Sequence, residues 1–177
     1  IATSTKPVIA SHSSVKRICP HRRNLTDDQI RAIARTGGVV FINFAPFFID
    51  STFSAKEEAM LASHPQVVDS AKRAHPGDEF AQADVISRIL AAQYAPIRPP
   101  LSLLVDHFEY VIRLVGADHV GIGSDFDGIP VTPMGMDDVT ALPSLTRELL
   151  KRGHSPEDVQ KILGGNFLRV LKEAERH

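Results

Sequence analysis

A single cysteine, Cys19, is present, so no disulfide can form within the chain and a disulfide-stapled scaffold is excluded. The 20 Lys and Arg residues are offset by 21 Asp and Glu residues. The basic residues do not gather into a stripe that could neutralise several phosphates, so we expect no nucleic-acid partner.

Long hydrophobic runs are also lacking. The longest, residues 37–49, is interrupted by Asn43 and Pro46, and it is shorter than the roughly 20 residues that a membrane-spanning helix needs. The chain starts at Ile1 without the charged and apolar segments of a signal peptide. We therefore expect a soluble chain, and its localisation stays open.

The composition is that of one globular domain, residues 1–177, with 43% hydrophobic and 23% charged residues. Residues 7–10 are continuously apolar, which is typical of a strand buried on both faces of a parallel sheet. A capping box at Thr26 predicts a helix ending near Gly37, and residues 38–44 form a second predicted strand. This repeat of about 30 residues matches one unit of a TIM-type β/α barrel. The pattern predicts an α/β fold.

A third strand is predicted at residues 119–123, and the repeat before it contains about 50 residues more than a single barrel unit needs. The extra segment, about residues 50–100, predicts a helical insertion with helices at 54–74 and 79–94, separated at 75–77. Because it begins on the active-site side of the second strand, it is expected to form part of a lid or an oligomer contact.

The remaining residues predict helices. Ser102 is placed to cap a helix that ends near Gly116, and residues 142–151 predict another. Ser155 followed by Pro156 is a typical helix start, and a break at residues 164–165 precedes a last helix at 166–174.

His12 directly follows the first predicted strand. In a β/α barrel the active site is built at this end of the strands. The imidazole is therefore a candidate metal ligand. A histidine hydrogen-bonded to the rim of the barrel is the alternative, and this residue alone does not decide between the two.

Asp125 and Asp127 follow the third predicted strand, on the same functional face. If the strand continues that far, alternation sends both carboxylates to one side of the sheet. Gly121 and Gly123 leave room for neighbouring backbone or a ligand. An ordinary turn is the alternative interpretation of the same residues.

Arg22 and Arg23 lie about ten residues beyond the first strand, so a guanidinium could reach back over the mouth of the barrel. The planar fork of arginine binds both oxygens of a carboxylate at once, which suits a clamp for a substrate carboxylate. A pair of solvated surface arginines is the alternative.

Four segments together carry a family pattern. They are PVIASHSS at 7–14, RRN at 22–24, GIGSDFDG at 121–128 and ILGGNFLRVL at 162–171. In this order they resemble the membrane (renal) dipeptidase family of zinc metallopeptidases, and the resemblance spans nearly the whole chain.

The resemblance implies a β/α barrel in which two zinc ions are bridged by a carboxylate, and an enzyme that hydrolyses dipeptides, often with a D-residue on the C-terminal side. By motif, His12 matches a zinc ligand, Asp125 the catalytic acid/base and Arg23 the residue that binds the substrate's terminal carboxylate. Phe48 lies where the family has an aromatic residue that lines the pocket.

The family's other metal ligands, a His-x-Asp pair, a bridging Glu and a further His, have no counterpart in this sequence. Three strands are also too few to close a barrel. We therefore expect the chain to be the C-terminal part of one barrel domain. Its expected partners are the remaining N-terminal barrel segment, a dipeptide or small N-acyl amino acid substrate, and a second copy in a possible homodimer.

Two further interpretations stay open. Some relatives in the family cleave N-acyl D-amino acids, so a deacylase on the same metal site is an alternative to a dipeptidase. Because the remaining ligands are absent from this sequence, a non-catalytic homologue that serves as a binding module is a second alternative. The joint presence of His12, Arg23 and Asp125 favours an enzyme.

Overall fold

The computed structural model describes residues 3–175, and its helices are arranged around three short parallel strands. The strands are β1 Ile9–Ala10, β2 Val39–Ile42 and β3 Val120–Ile122. They pair in the order β1-β2-β3, with Ile9 opposite Val39 and Val40 opposite Val120. The prediction of an α/β fold with three parallel strands is confirmed.

The helices connect and cover these strands. They are α1 Asp27–Arg35, α2 Pro46–Ile49, α3 Phe53–Ala62, α4 Pro65–Ala74, α5 Glu79–Ile89, α6 Ala91–Tyr94, α7 Leu101–Val115, α8 Leu142–Lys151, α9 Pro156–Gln160 and α10 Asn166–Glu175. Within residues 3–175, none of them is both long and apolar enough to cross a membrane.

The central strand β2 is buried on both faces. Val40 and Ile42 belong to the main core, which includes side chains of α1, α7 and α8, whereas Val39 and Phe41 pack with Val170 of α10. The residues of β2 are hydrophobic throughout because neither face meets water.

Strand β1 is the edge of the sheet, and this changes its environment. The sequence predicted a strand buried on both faces, but the side chain of Ile9 is 42% exposed. The prediction of burial is wrong at this position because burial at an edge depends on a further neighbouring strand, and none lies beside β1 within residues 3–175.

The predicted helix boundaries are mostly confirmed. Thr26 forms a complete capping box with Gln29, and Ser155 caps α9 through the backbone N–H of Asp158. A π-helical turn at Lys161–Gly165 forms the break before α10. The predicted Ser102 cap is wrong, because α7 begins at Leu101, with Pro100 at the cap position and Ser102 inside the helix.

The helical insertion after β2 contains more breaks than predicted. The single helix expected at 54–74 is wrong and is instead α3 and α4, because Pro65 cannot donate the N–H that would continue α3 and starts a new helix. The short helices α2 and α6 were not predicted. The break between 74 and 79 is confirmed.

A second apolar cluster links the insertion to the segment after β3. Its buried members are Phe53, Ala71, Ile86, Leu90, Tyr94 and Val131. Five of these belong to the insertion, whereas Val131 lies in the segment that follows Asp125. Arg98 strengthens the connection by donating to the carbonyls of Thr132 and Pro133, at 2.7 Å each.

His107 of α7 is fully buried and connects two loops beside the sheet. Its Nδ1 accepts from the backbone N–H of Val15 at 3.0 Å, and its Nε2 donates to the carbonyl of Ile49 at 3.1 Å. Because Nδ1 must accept, the proton of the neutral ring lies on Nε2. Burial lowers the pKa of His107 from 6.5 to about 4, so the ring is neutral at physiological pH.

We predict that His107 makes the fold sensitive to acid. Because its folded pKa lies below its unfolded pKa, the stability it contributes is fully present above about pH 6.5 and is lost as the pH falls toward about 4. The loss amounts to at most about 3 kcal/mol. His107→Gln keeps one donor and one acceptor but does not titrate, so urea unfolding should show a shallower decline between these pH values. An equally steep decline would contradict the assignment.

Candidate functional site

The carboxyl ends of the three strands are joined by backbone contacts into one surface. Ser13 N–H donates to the carbonyl of Phe41 at 2.9 Å, and Phe44 N–H donates to the carbonyl of Ser124 at 3.3 Å. A side chain at Gly123 would begin 2.5 Å from the carbonyl oxygen of Ser11, so only glycine permits this approach of β3 to the loop after β1. The residues that follow the three strands therefore lie on one edge of the sheet.

Asn24 holds the loop that follows β1. Its side chain is buried, with 3% exposure. Its Oδ1 accepts from the N–H of Ser14 at 3.1 Å, and its Nδ2 donates to the carbonyls of Cys19 at 2.9 Å and Phe48 at 2.8 Å. Since these three bonds satisfy a buried carboxamide, the loop is fixed against α2.

Arg23 and His12 are brought into direct contact. Nη2 of Arg23 lies 2.9 Å from Nε2 of His12, and Oγ of Ser11 lies 2.7 Å from Nδ1 of His12. A guanidinium can only donate, so Nε2 accepts and the ring proton lies on Nδ1, which donates to Ser11. The lone pair of Nε2, which could bind a metal ion, therefore points at Arg23.

Phe48 lies beneath Arg23 and is only 2% exposed. The guanidinium carbon of Arg23 is 5.0 Å from the centre of the Phe48 ring, a cation–π distance. The ring of His21 packs on Phe48 at 4.5 Å between centroids. In this arrangement Phe48 supports the arginine from below.

His21 is kept neutral beside the two arginines of the motif. Desolvation lowers its pKa below the ordinary value, and the positive charges of Arg22 and Arg23 lower it further. Its Nδ1 accepts from the backbone N–H of Arg23 at 3.3 Å. The lowered pKa favours the neutral form of His21, so this ring adds little positive charge beside Arg23.

Asp125 begins a tight turn after β3. It is the only non-glycine residue with a positive φ within residues 3–175, at 66°. Residues Phe126–Gly128 then form a 3-10 turn, so the strand does not continue to Asp127. The condition for two carboxylates on one side of the sheet is therefore not met: Asp127 is exposed, whereas Asp125 is half-buried. Oδ2 of Asp125 accepts from Nδ2 of Asn43 at 3.1 Å.

Asn43 and Asn24 were not assigned site roles from the sequence, although a signal was available for Asn43. Asn43 directly follows β2, which is the position that His12 and Asp125 occupy near the ends of β1 and β3. It is a polar residue at the end of an otherwise apolar run. That position in a parallel sheet predicts a site residue by the same argument that selected His12.

The described residues do not by themselves complete a metal site. Within residues 3–175, no three side chains of His, Cys, Asp or Glu lie close enough together to hold a metal ion. A protein zinc site uses at least three protein ligands. The Nε2 lone pair of His12 accepts from Arg23 here, so His12 fits as one ligand once Arg23 turns away from it, and further ligands would have to come from outside these residues.

Comparison with known proteins finds a family model and several similar proteins. The family model for membrane dipeptidases (peptidase family M19) matches residues 1–177. The dipeptidase ataJ of Aspergillus terreus is 33% identical over 175 residues, which are 99% of this chain and 32% of that protein. An uncharacterised protein in the pqqA 5′ region of Klebsiella pneumoniae is 35% identical over 169 residues, which are 96% of this chain and 47% of that protein.

Solved structures of a probable dipeptidase and of a metallo peptidase are also similar to this chain. The probable dipeptidase PvdM from Pseudomonas aeruginosa matches with a TM-score of 0.71 and 30% identity, over 98% of this chain and 46% of that one. A metallo peptidase from Rhodobacter sphaeroides also matches, with a TM-score of 0.68 and 26% identity over 97% of this chain and 37% of that one. That structure is liganded with a phosphinate mimic of the dipeptide L-Ala-D-Ala.

The chain therefore spans between about a third and a half of the length of these relatives. Since the family model covers its whole length, the chain belongs to the membrane dipeptidase family, peptidase family M19.

Proposed function

We propose that this chain is the C-terminal part of a β/α-barrel zinc dipeptidase, with the helical insertion at about residues 50–100 as part of the same domain. The observation that carries the proposal is the placement of His12, Arg23 and Asp125 beyond the ends of parallel strands that share one edge. The remaining strands of the barrel would be supplied by an N-terminal segment, because a closed barrel needs more strands than three.

Asp125 is the proposed proton carrier. Its carboxylate would accept a proton from the attacking water and deliver it to the departing amine, as expected of a positioned carboxylate at neutral pH. Its half-buried position and its hydrogen bond to Asn43 support this role, because a catalytic carboxylate must be held in one orientation.

Arg23 is the proposed binding group for the carboxylate at the C-terminal end of the substrate. Its guanidinium is exposed at the edge that carries His12 and is supported by the ring of Phe48. A fixed distance between this cation and the reacting amide would restrict good substrates to short ones, because a longer peptide places its carboxylate elsewhere. The length of the substrate peptide would then determine specificity.

His12 would hold one of two zinc ions in the complete protein through Nε2, after Arg23 turns away from that atom toward the substrate carboxylate. The other ligands would come from the N-terminal segment. Bound zinc would supply Lewis-acid polarisation of the amide. The Rhodobacter relative, whose ligand mimics L-Ala-D-Ala, favours a dipeptide with a D-residue on the C-terminal side as the substrate.

Removing the carboxylate tests the role of Asp125. In the native protein Asp125→Asn keeps the size of the side chain but cannot carry the proton, so we expect kcat to fall by at least about a hundredfold. Metal content, measured by mass spectrometry on the same preparation, should stay the same. Turnover at the unchanged rate would refute the assignment.

Replacing the guanidinium tests the role of Arg23. Arg23→Lys keeps the charge but loses the two-pronged hydrogen bond, so kcat/KM for dipeptides should fall roughly tenfold to a hundredfold. The matched control is the same dipeptide with its C-terminal carboxylate converted to an amide. That substrate should lose little between wild type and variant, and an equal loss for both substrates would argue against the clamp.

A further inference from the structure

Asn43 lies between the proposed proton carrier and the loop that holds His12. Its side chain is fully buried at the end of β2. Its backbone carbonyl accepts from Oγ of Ser14 at 3.2 Å, and its side chain contacts Asp125. Asn43, which follows β2, thus contacts Ser14 after β1 and Asp125 after β3.

The orientation of the Asn43 carboxamide is determined by its partners. The backbone N–H of Ala45 lies 2.6 Å from Oδ1 of Asn43. A backbone N–H can only donate, so this atom must be the oxygen, and the amide nitrogen necessarily faces Asp125. The N–H that reaches Oδ2 of Asp125 is therefore fixed by the fold.

The other side of the Asp125 carboxylate is closed by glycine. A side chain at Gly128 would begin 2.3 Å from Oδ1 of Asp125, so it would displace the carboxylate from this position. The backbone of Asp125 is in the left-handed region, which is strained for a residue other than glycine. A hydrogen bond to Asn43 offsets part of that strain and selects one orientation of the carboxylate.

We infer that Asn43 is the positioning residue for Asp125, and this rests on the proposed function of Asp125 as proton carrier. Asn43 presents a neutral donor to one carboxylate oxygen and leaves the other oxygen outside that bond. A neutral donor orients the group without forming an ion pair, so the carboxylate can take up a proton and release it within one catalytic cycle.

Two substitutions separate this role from a purely structural one. Asn43→Asp keeps an oxygen that can accept from Ala45 N–H but replaces the donor with a second carboxylate close to Asp125. Asn43→Ser also keeps a local acceptor for the turn, because a hydroxyl can accept from a backbone N–H two residues on, but it is too short to reach Asp125. The two variants therefore share the loss of the donor and differ in charge.

The pH profile of kcat in the native protein is the readout. Two carboxylates at hydrogen-bond distance cannot both ionise easily, so Asn43→Asp should move the acid limb to higher pH by about one unit or more. Asn43→Ser should lower kcat roughly tenfold with a smaller displacement of that limb. KM should change less than kcat in both variants, because neither touches Arg23.

A carboxyl ¹³C NMR titration of Asp125 gives a second readout that needs no turnover. The pH at the midpoint of this titration should be higher in Asn43→Asp than in wild type. If both the titration and the acid limb are unchanged in a variant that remains folded, the inference is overturned. If Asn43→Asp does not fold, the pH profile of kcat and the NMR titration are measured on Asn43→Ser instead. A kcat equal to that of wild type would then overturn the inference.

The failure of this inference is distinguishable from the failure of the proposed function. If Asp125→Asn abolishes turnover while the Asn43 variants behave like wild type, only the positioning role is wrong. If Asp125→Asn keeps full turnover, the proposed function is wrong, and the NMR titration still reports whether Asn43 contacts Asp125.

Discussion

The candidate site depends on buried polar side chains that hold loops by hydrogen bonds to the backbone. Asn24, Asn43 and His107 are each at most 3% exposed, and both polar atoms of each side chain have partners. Because an unpaired buried polar group costs roughly 1–3 kcal/mol, each of these residues permits essentially one local arrangement of its loop. Apolar packing positions the strands, whereas these hydrogen bonds position the loops at the strand ends.

Much of the fold could be predicted from local signals. The capping box at Thr26, the Ser155 and Pro156 start of α9 and the apolar run of β2 each express a rule that acts within a few residues. The exposure of Ile9 could not be predicted in the same way, because it depends on whether another strand lies beside β1. The division of the predicted 54–74 helix was signalled by Pro65, since proline begins helices more readily than it continues them.

The sequence proposed candidate site residues, but it could not predict the contacts between them. Position after a strand pointed to His12 and Asp125, and the loop after the first strand pointed to Arg22 and Arg23. The resemblance to a family then selected Arg23 and added Phe48. The hydrogen bond from Arg23 to His12 and the burial of Phe48 beneath the guanidinium depend on the path of the loop. That path is determined by Asn24 through atoms distant in sequence, which periodicity and motif spacing do not report.

The contact between the helices after β2 and the segment after β3 joins two parts of the chain that are distant in sequence. Val131 packs into the core of the insertion, and Arg98 is bonded to the carbonyls of Thr132 and Pro133. The backbone that continues from Asp125 is thus anchored to the helices between β2 and α7. A substitution inside those helices can therefore shift the backbone that follows Asp125 without any direct contact with that residue.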